Sequence, residues 1–257
     1  MIIIKNKRAI ETMRQAGMLL AQVFDSIAPS VKAGASTLAI EELIVAELAR
    51  RELKAESLGY RGYRHNSCIS INDEVVHGVP HEDKILHDGD LVSIDICASW
   101  HGYCADMTRS YLIGTPSKKL QHFVYTAQAA LDLGIAQARV GTHLSDISSA
   151  IAREVERNGY SVVRDFAGHG IGKTMHEDPE VLNYGKPGEG PVLCAGMTLA
   201  IEPMIAMGSY EVFVADDGWT VKTKDKSFAA HIEDTVLITE EGPEILTRAQ
   251  RGQYEKR

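Results

Sequence analysis

LVSIDICASWHGYCADMTRSY, residues Leu91 to Tyr111 of a 257-residue chain, alternates side chains at the period of a β-strand and reverses direction once. Val92, Ile94 and Ile96 fall on one face of the first strand, and Ser93, Asp95 and Cys97 on the other. The turn falls near Trp100 to Gly102. On the return strand Asp106, Thr108 and Ser110 share a face, and a turn centred between Trp100 and His101 sets Asp95 directly opposite Asp106. Opposed cross-strand Cβ atoms lie roughly 4.5 to 5.5 Å apart, where like charges are destabilising. The two carboxylates therefore share a proton, share a cation, or lie solvated on an exposed hairpin face.

Composition narrows the field. With 44% apolar residues the chain can bury a sizeable core, and its length fits one large domain. A net charge of -8 without a long Lys/Arg run argues against a nucleic-acid or anionic-membrane surface. Small or peptide substrates fit better. The start, MIIIKNKRAIE, has too short an apolar run for a signal peptide or membrane span, so a cytoplasmic protein is expected. Cys68, Cys97, Cys104 and Cys194 form no CxxC pair, which favours reduced thiols over a disulfide framework or zinc knuckle.

Outward from the hairpin, Ile10, Met13, Gly17, Leu20 and Phe24 predict a first helix ending before Pro29. A second, capped by Ser36 or Thr37, is expected to reach about Leu53, and a short strand is read at Cys68 to Ile71 before a loop presenting His77. Leu120 to Ile135 and Leu144 to Val155 predict a third and a fourth helix, the latter stopped by Gly159. AGHGIG, 167–172, reads as a glycine-rich stretch exposing His169. Met197 to Glu202 is a strand candidate, and Phe228 to Ile238 reads as one last strand with His231, Glu233 and Thr235 on a common face.

The chain also repeats itself. Gly34 and Gly141, Gly89 and Gly196, and Asp95 and Glu202 are each 107 residues apart. His77 with Pro80 echoes His176 with Pro179, and Asp106-Met-Thr108 echoes Glu233-Asp-Thr235. The halves run approximately over 34–115 and 141–240 of a single domain. If they pack about a pseudo-twofold axis, Asp95, Asp106, Glu202 and Glu233 converge, a concentration of negative charge that needs cations to stay ionised.

Four carboxylates with one imidazole, for which His169 between Gly168 and Gly170 is the best candidate, make an oxygen-rich site suited to a pair of Mn, Fe, Co or Zn ions. Such a pair supports hydrolysis. The same glycines lack the GxGxxG helix start of a dinucleotide fingerprint. His77 and His176, without carboxylates at ligand spacing, are better placed as hydrogen-bond donors to substrate or to a tetrahedral intermediate. Tyr60, Tyr63, Cys68, Met175 and Trp219 lie near the histidine loops in sequence and suit an apolar pocket for a thioether side chain.

LGYRGY (58–63), SCISINDEVVHGVP (67–80), DGDLVSIDI (88–96), YCADMTRSY (103–111), AGHGIGKTMHEDP (167–179), GMTLAIEPM (196–204), DGWTVKTKDKS (217–227) and IEDT (232–235) together resemble the type I methionine aminopeptidases over nearly the whole chain. The resemblance implies an α+β pita-bread fold, two pseudo-symmetric αβ halves with antiparallel strands around a dinuclear metal site, in one catalytic domain over 1–257. It implies hydrolytic removal of the initiator methionine from nascent polypeptides, with a small second residue preferred. Asp95, Asp106, His169, Glu202 and Glu233 would hold two divalent ions, Asp106 and Glu233 bridging them. His77 would contact the substrate backbone, His176 steady the tetrahedral intermediate, and Glu202 shuttle a proton. Tyr60, Tyr63, Cys68 and Trp219 fall on pocket positions, whereas Met175 stands where the family often has Phe and Ser57 where some members have Cys.

The 31 residues from Glu202 to Glu233 leave no room for the helical insertion of type II members. Without the zinc-binding extension of eukaryotic type I enzymes, the chain looks bacterial in kind. The implied partner is the nascent peptide N-terminus, acted on by a monomer; the ribosome is a further partner that no residue localises. The alternatives are a proline-specific peptidase, whose relatives carry a large extra N-terminal domain, and a metal-free pita-bread binding module, whose relatives have substituted ligand positions.

Overall fold

Leu91–Trp100 and Tyr103–Leu112 form the hairpin, joined by His101 and Gly102 at φ 48° and 78°. Two left-handed central residues give the tight turn whose twist matches its strands. Its centre lies one residue later than the sequence suggested, so every pairing moves by two. Asp95 faces Thr108 and Cys97 faces Asp106, which makes Asp95 and Asp106 diagonal rather than direct neighbours. Because side chains alternate with period 2, a two-residue shift leaves both carboxylates on the same face.

The computed structural model describes residues 1–248. Its helices are α1 (Lys7–Ile27), α2 (Thr37–Arg50), α3 (Lys118–Gln137) and α4 (Leu144–Arg157). Its strands are β1 (Lys54–Ala55), β2 (Cys68–Ile71), β3 (Glu74–Val76), β4 (Leu91–Trp100), β5 (Tyr103–Leu112), β6 (Ser161–Val162), β7 (Gly168–Gly170), β8 (Glu177–Val181), β9 (Thr198–Ile201), β10 (Met204–Ala206), β11 (Val212–Val214), β12 (Val221–Thr223), β13 (Ala229–His231), β14 (Glu233–Thr239) and β15 (Gly242–Ile245). A nine-stranded antiparallel sheet runs β1-β4-β5-β14-β9-β7-β8, with β2 also on β4 and β15 on β14. Two three-stranded sheets, β13-β10-β6 and β11-β12-β3, are built from strands interspersed among those of the large sheet in sequence. Helix α2 stops at Arg50 instead of reaching Leu53, because Glu52 turns at φ 56° and Leu53 N–H returns to Leu48 O at 3.0 Å.

Apolar alternation decides which face of the large sheet is covered. Val92, Ile94 and Ile96 pack with Leu20, Phe24, Ile40 and Ile44 of α1 and α2. Leu199, Ile201, Val236 and Ile238 pack with Phe123, Leu131, Ile147 and Ile151 of α3 and α4. Each such burial contributes about 1.5–3 kcal/mol, so a one-residue slip, which would turn Asp95 into the helix layer, is strongly opposed. Asp234 is a fully buried charge on this helix face. It is matched by Arg109 at 2.6 Å, Arg248 at 2.6 Å and the Thr247 hydroxyl at 2.8 Å.

Phe228 to Ile238 is not one strand. It breaks at Ile232, with β13 in a small sheet beside β10 and β14 in the large sheet beside β9. The cause is the neighbouring strand, where Pro203 has no N–H to continue β9. Ile232 N–H donates to Pro203 O at 3.4 Å, so both chains pass between sheets together. Glu202 and Glu233 sit at this crossing.

The 107-residue offset recurs in the backbone. Gly34 N–H bonds Leu86 O at 2.8 Å and Gly141 N–H bonds Leu193 O at 3.0 Å; Leu86 N–H bonds Ala35 O and Leu193 N–H bonds Thr142 O, both at 2.8 Å. The bridges Ser36 to Ile85 and His143 to Val192 follow the same spacing.

Candidate metal centre

The face turned away from the four helices carries two adjacent rows of side chains. Cys68, Asp95, Thr108 and Glu233 are paired residue by residue across β2, β4, β5 and β14. In the next row Cys97 pairs with Asp106, Thr235 with Ala200, and Ala200 with His169. Thr235 joins the middle of that row. Its hydroxyl accepts from Asp106 N–H and donates to Asp106 O, each at 2.8 Å. Glu202 enters from the end of β9, so one carboxylate arrives from each of β4, β5 and β14 and a fourth from the crossing.

His169 is buried within β7, not exposed on a loop as the glycines suggested. A Cβ on Gly168 would lie 2.4 Å from Ala200 O, and one on Gly170 would lie 2.1 Å from Asp178 O. The glycines thus let β9 and β8 close on the histidine from both sides. His169 Nδ1 lies 3.0 Å from Gly170 O, which fixes Nδ1 as the donor and leaves the Nε2 lone pair for the centre. Nε2 is 3.5 Å from Glu202 Oε1 and 3.8 Å from Asp106 Oδ2.

Two sets of ligand atoms, from Asp106, His169 and Glu233 and from Glu202, His231 and Glu233, lie within 4.8 Å of one another. Thr108 Oγ1 donates to Glu233 Oε2 at 2.9 Å, while Glu233 Oε1 is buried without a hydrogen-bond partner among the described residues. A buried carboxylate oxygen needs compensation that none of the described residues provides here. Burial, then Asp106 and Glu202, pushes Asp95 up to about 8. Burial and then Glu202 push Asp106 up to about 7, and burial first also raises Glu202 and Glu233. Burial lowers His169 to about 4, keeping its imidazole neutral as a ligand must be. Oxygen-rich donors, a neutral imidazole and an uncompensated oxygen fit a pair of hard or borderline divalent ions.

The electrostatics carry a pH prediction for protein stripped of metal. Asp95 and Asp106 bind protons more tightly folded than unfolded, so the folded state loses stability as pH rises towards about 7 and 8. The buried histidines act oppositely, but only below about pH 6.5, where unfolded histidine is charged. Melting temperature of the stripped protein should fall from pH 6.5 to 8.5 and recover on adding a divalent metal. A flat or rising profile by calorimetry would contradict this electrostatic picture.

A cavity of about 250 Å³ opens over the carboxylates, and every pocket residue expected from sequence lines it. Tyr63 is buried with its hydroxyl on Ser67 O at 2.9 Å, and its ring meets Trp219 edge-on at 5.0 Å. Cys68 closes the floor beside Asp95, and Met175 faces in from the glycine-rich segment. Tyr60 OH lies 3.2 Å from His176 Nδ1, and the His176 ring stands edge-on to His169 at 4.4 Å. His77 occupies a left-handed backbone conformation, φ 58°, with its ring edge-on to Phe166 at 5.6 Å. Strain of this kind, about 1–3 kcal/mol, persists only where the surroundings over-determine it. Burial first, then His231 and His176, lowers His77 to about 4, so it is a neutral donor.

Sequence reasoning missed Phe166 and the centre's second imidazole. His231 Nε2 lies 3.1 Å from Glu202 Oε2, so that carboxylate stands between His169 on one oxygen and His231 on the other. The signal was present, since His231 shares the Glu233 face in the alternation, two positions earlier.

An antiparallel sheet bearing paired helices on one face and a buried carboxylate-imidazole cluster on the other defines a metallohydrolase of pita-bread architecture. The sequence matches metallopeptidase family M24 over residues 11–240. A methionine aminopeptidase of Clostridium acetobutylicum is 44% identical over 247 residues, covering 96% of this chain and 99% of that one. The crystal structure of a Thermotoga maritima methionine aminopeptidase superposes with a TM-score of 0.95 at 40% identity, covering 97% of this chain and 100% of the other. A Pyrococcus furiosus prolidase shares the fold at a TM-score of 0.77 and 26% identity, covering 97% of this chain and 66% of its own. The chain belongs to metallopeptidase family M24.

Proposed function

We infer that this chain hydrolyses the peptide bond after an N-terminal methionine in a metal-dependent reaction. The observation that supports the reading is that Asp95, Asp106, His169, Glu202 and Glu233 line one cavity together with Tyr63, Cys68, Met175 and Trp219, and that donor atoms of Asp106, His169 and Glu233 lie within 4.8 Å of one another. Aromatic and sulfur walls suit a thioether side chain. The five ligands would hold two divalent ions, with Asp106 and Glu233 between them. Such ions lower the pKa of a water and polarise a carbonyl. His77 would donate to the substrate backbone and His176 to the oxygen that gains charge as the carbonyl becomes tetrahedral. Glu202 would take the proton of the attacking water and deliver it to the leaving amine.

A small second residue is part of the same reading, as is a monomer acting on nascent chains in the cytoplasm, with the ribosome close by. Among the described residues no helix is long and apolar enough to cross a membrane. The test is steady-state hydrolysis of Met-Ala-Ser against Leu-, Lys- and Met-Leu-Ser analogues and an X-Pro dipeptide, with and without chelator. Met-Ala-Ser should be cleaved best, and chelation should abolish turnover. Undiminished hydrolysis after exhaustive chelation would sink the metal-dependent reading, and preference for X-Pro would favour a proline-specific enzyme.

A further inference from the structure

Residues 1–6, ahead of α1, are tied to the turn that carries His176. Lys5 N–H bonds Gly196 O at 2.8 Å, and Lys5 Nζ bonds Glu177 Oε2 at 2.7 Å and Ile3 O at 3.1 Å. Both side chains of this ion pair are almost fully covered, at 3% and 6% exposure. Glu177 follows His176 directly, and its second oxygen accepts Lys173 N–H at 2.9 Å. Gly170 pairs with Glu177 across β7 and β8, so that bond closes the intervening turn from inside. Met175 and His176, both on this turn, line the cavity. A Cβ on Gly172 would lie 2.4 Å from Glu177 Oε1 and 2.7 Å from Lys5 Cε, which shows how tightly the pair fills the space against the turn's backbone. The Met1 ammonium pairs with Asp178, next along β8.

We propose that Lys5 is a positioning residue for His176, acting through Glu177, so that the N-terminal segment is a working strap of the site. The proposal rests on the role given to His176 above. The physical reason is the burial of the pair. A covered carboxylate deprived of its cation turns towards water, and Glu177 could do so only by releasing Lys173 N–H and opening the turn. Displacing a donor by about 1 Å can lower a rate by as much as about 10²-fold while leaving substrate binding largely intact.

The experiment compares the metal-loaded full chain with Lys5→Met, Lys5→Arg, the double variant Lys5→Met/Glu177→Met, and His176→Ala. The readouts are kcat and KM on Met-Ala-Ser, metal content by mass spectrometry, and melting temperature. Lys5→Met should lower kcat roughly 10- to 100-fold with KM within about twofold and metal content unchanged. Lys5→Arg, which restores a cation, should recover most of the rate. The double variant leaves no buried charge unpaired and should therefore melt near the unsubstituted protein, yet it should stay slow because nothing accepts Lys173 N–H. A well-folded double variant at full rate would overturn the proposal, as would Lys5→Met with unchanged kcat or with kcat and metal lost together. A fast His176→Ala enzyme would remove the role of His176 and the proposal with it, whereas a slow His176→Ala beside a fast Lys5→Met removes the proposal alone.

Discussion

Asp106→Asn should abolish peptide hydrolysis and strip metal from the centre in one step. Asp106 stands between Cys97 and Thr235 in its row, with Thr235 on its backbone and its carboxylate within reach of His169, and burial together with Glu202 drives its proton affinity up. Such a carboxylate is ionised only when cations offset it. Asparagine keeps the shape and removes the charge that two ions would share, so both are weakened at once. The loss should exceed the roughly 10²- to 10³-fold that follows deletion of a single positioned donor. Steady-state kinetics with circular dichroism check it, and a folded variant with a substantial rate would mean that Asp106 is not a bridging ligand.

His77→Ala should give the contrasting phenotype of intact metal content with a kcat lowered about 10²- to 10³-fold, or roughly 2.7–4 kcal/mol of transition-state stabilisation. His77 directly follows β3 of the small β11-β12-β3 sheet, and its ring is held against Phe166. Its side chain can be removed without unpairing a charge, so the carboxylate rows should stay as they are. The strained backbone at this position argues that the ring's placement is maintained against a conformational penalty, as at sites where geometry matters. Metal loss in His77→Ala comparable to that in Asp106→Asn would merge the two roles and contradict the assignment.

The carboxylate face was legible because it depends on strand alternation alone. Val92, Ile94 and Ile96 need a helix layer, and period 2 then sends Asp95 to the other side whatever the turn does. The turn itself was not legible to one residue. WHGY offers two possible centres, and only the left-handed conformations of His101 and Gly102 choose between them. The break at Ile232 has no local marker, since the residue that causes it, Pro203, is on the neighbouring strand. Alternation already put His231 on the Glu233 face; what it does not reveal is that the imidazole meets Glu202, with Nε2 3.1 Å from Oε2, because that depends on where the neighbouring β9 ends. Gly168 and Gly170 announced a special stretch, but whether they serve a ligand or the approach of two strands depends on partners 8 to 32 residues away.

If the two carboxylate rows and Glu202 form one centre for a pair of divalent ions, the ions can be counted. Metal counting by mass spectrometry tests that assignment most directly, on the unsubstituted chain and Asp106→Asn stripped and then titrated with Mn or Co side by side. Two ions per chain in the unsubstituted protein and at most one in the variant are predicted. Equal occupancy in the two proteins, or an unsubstituted chain that binds none, would contradict it.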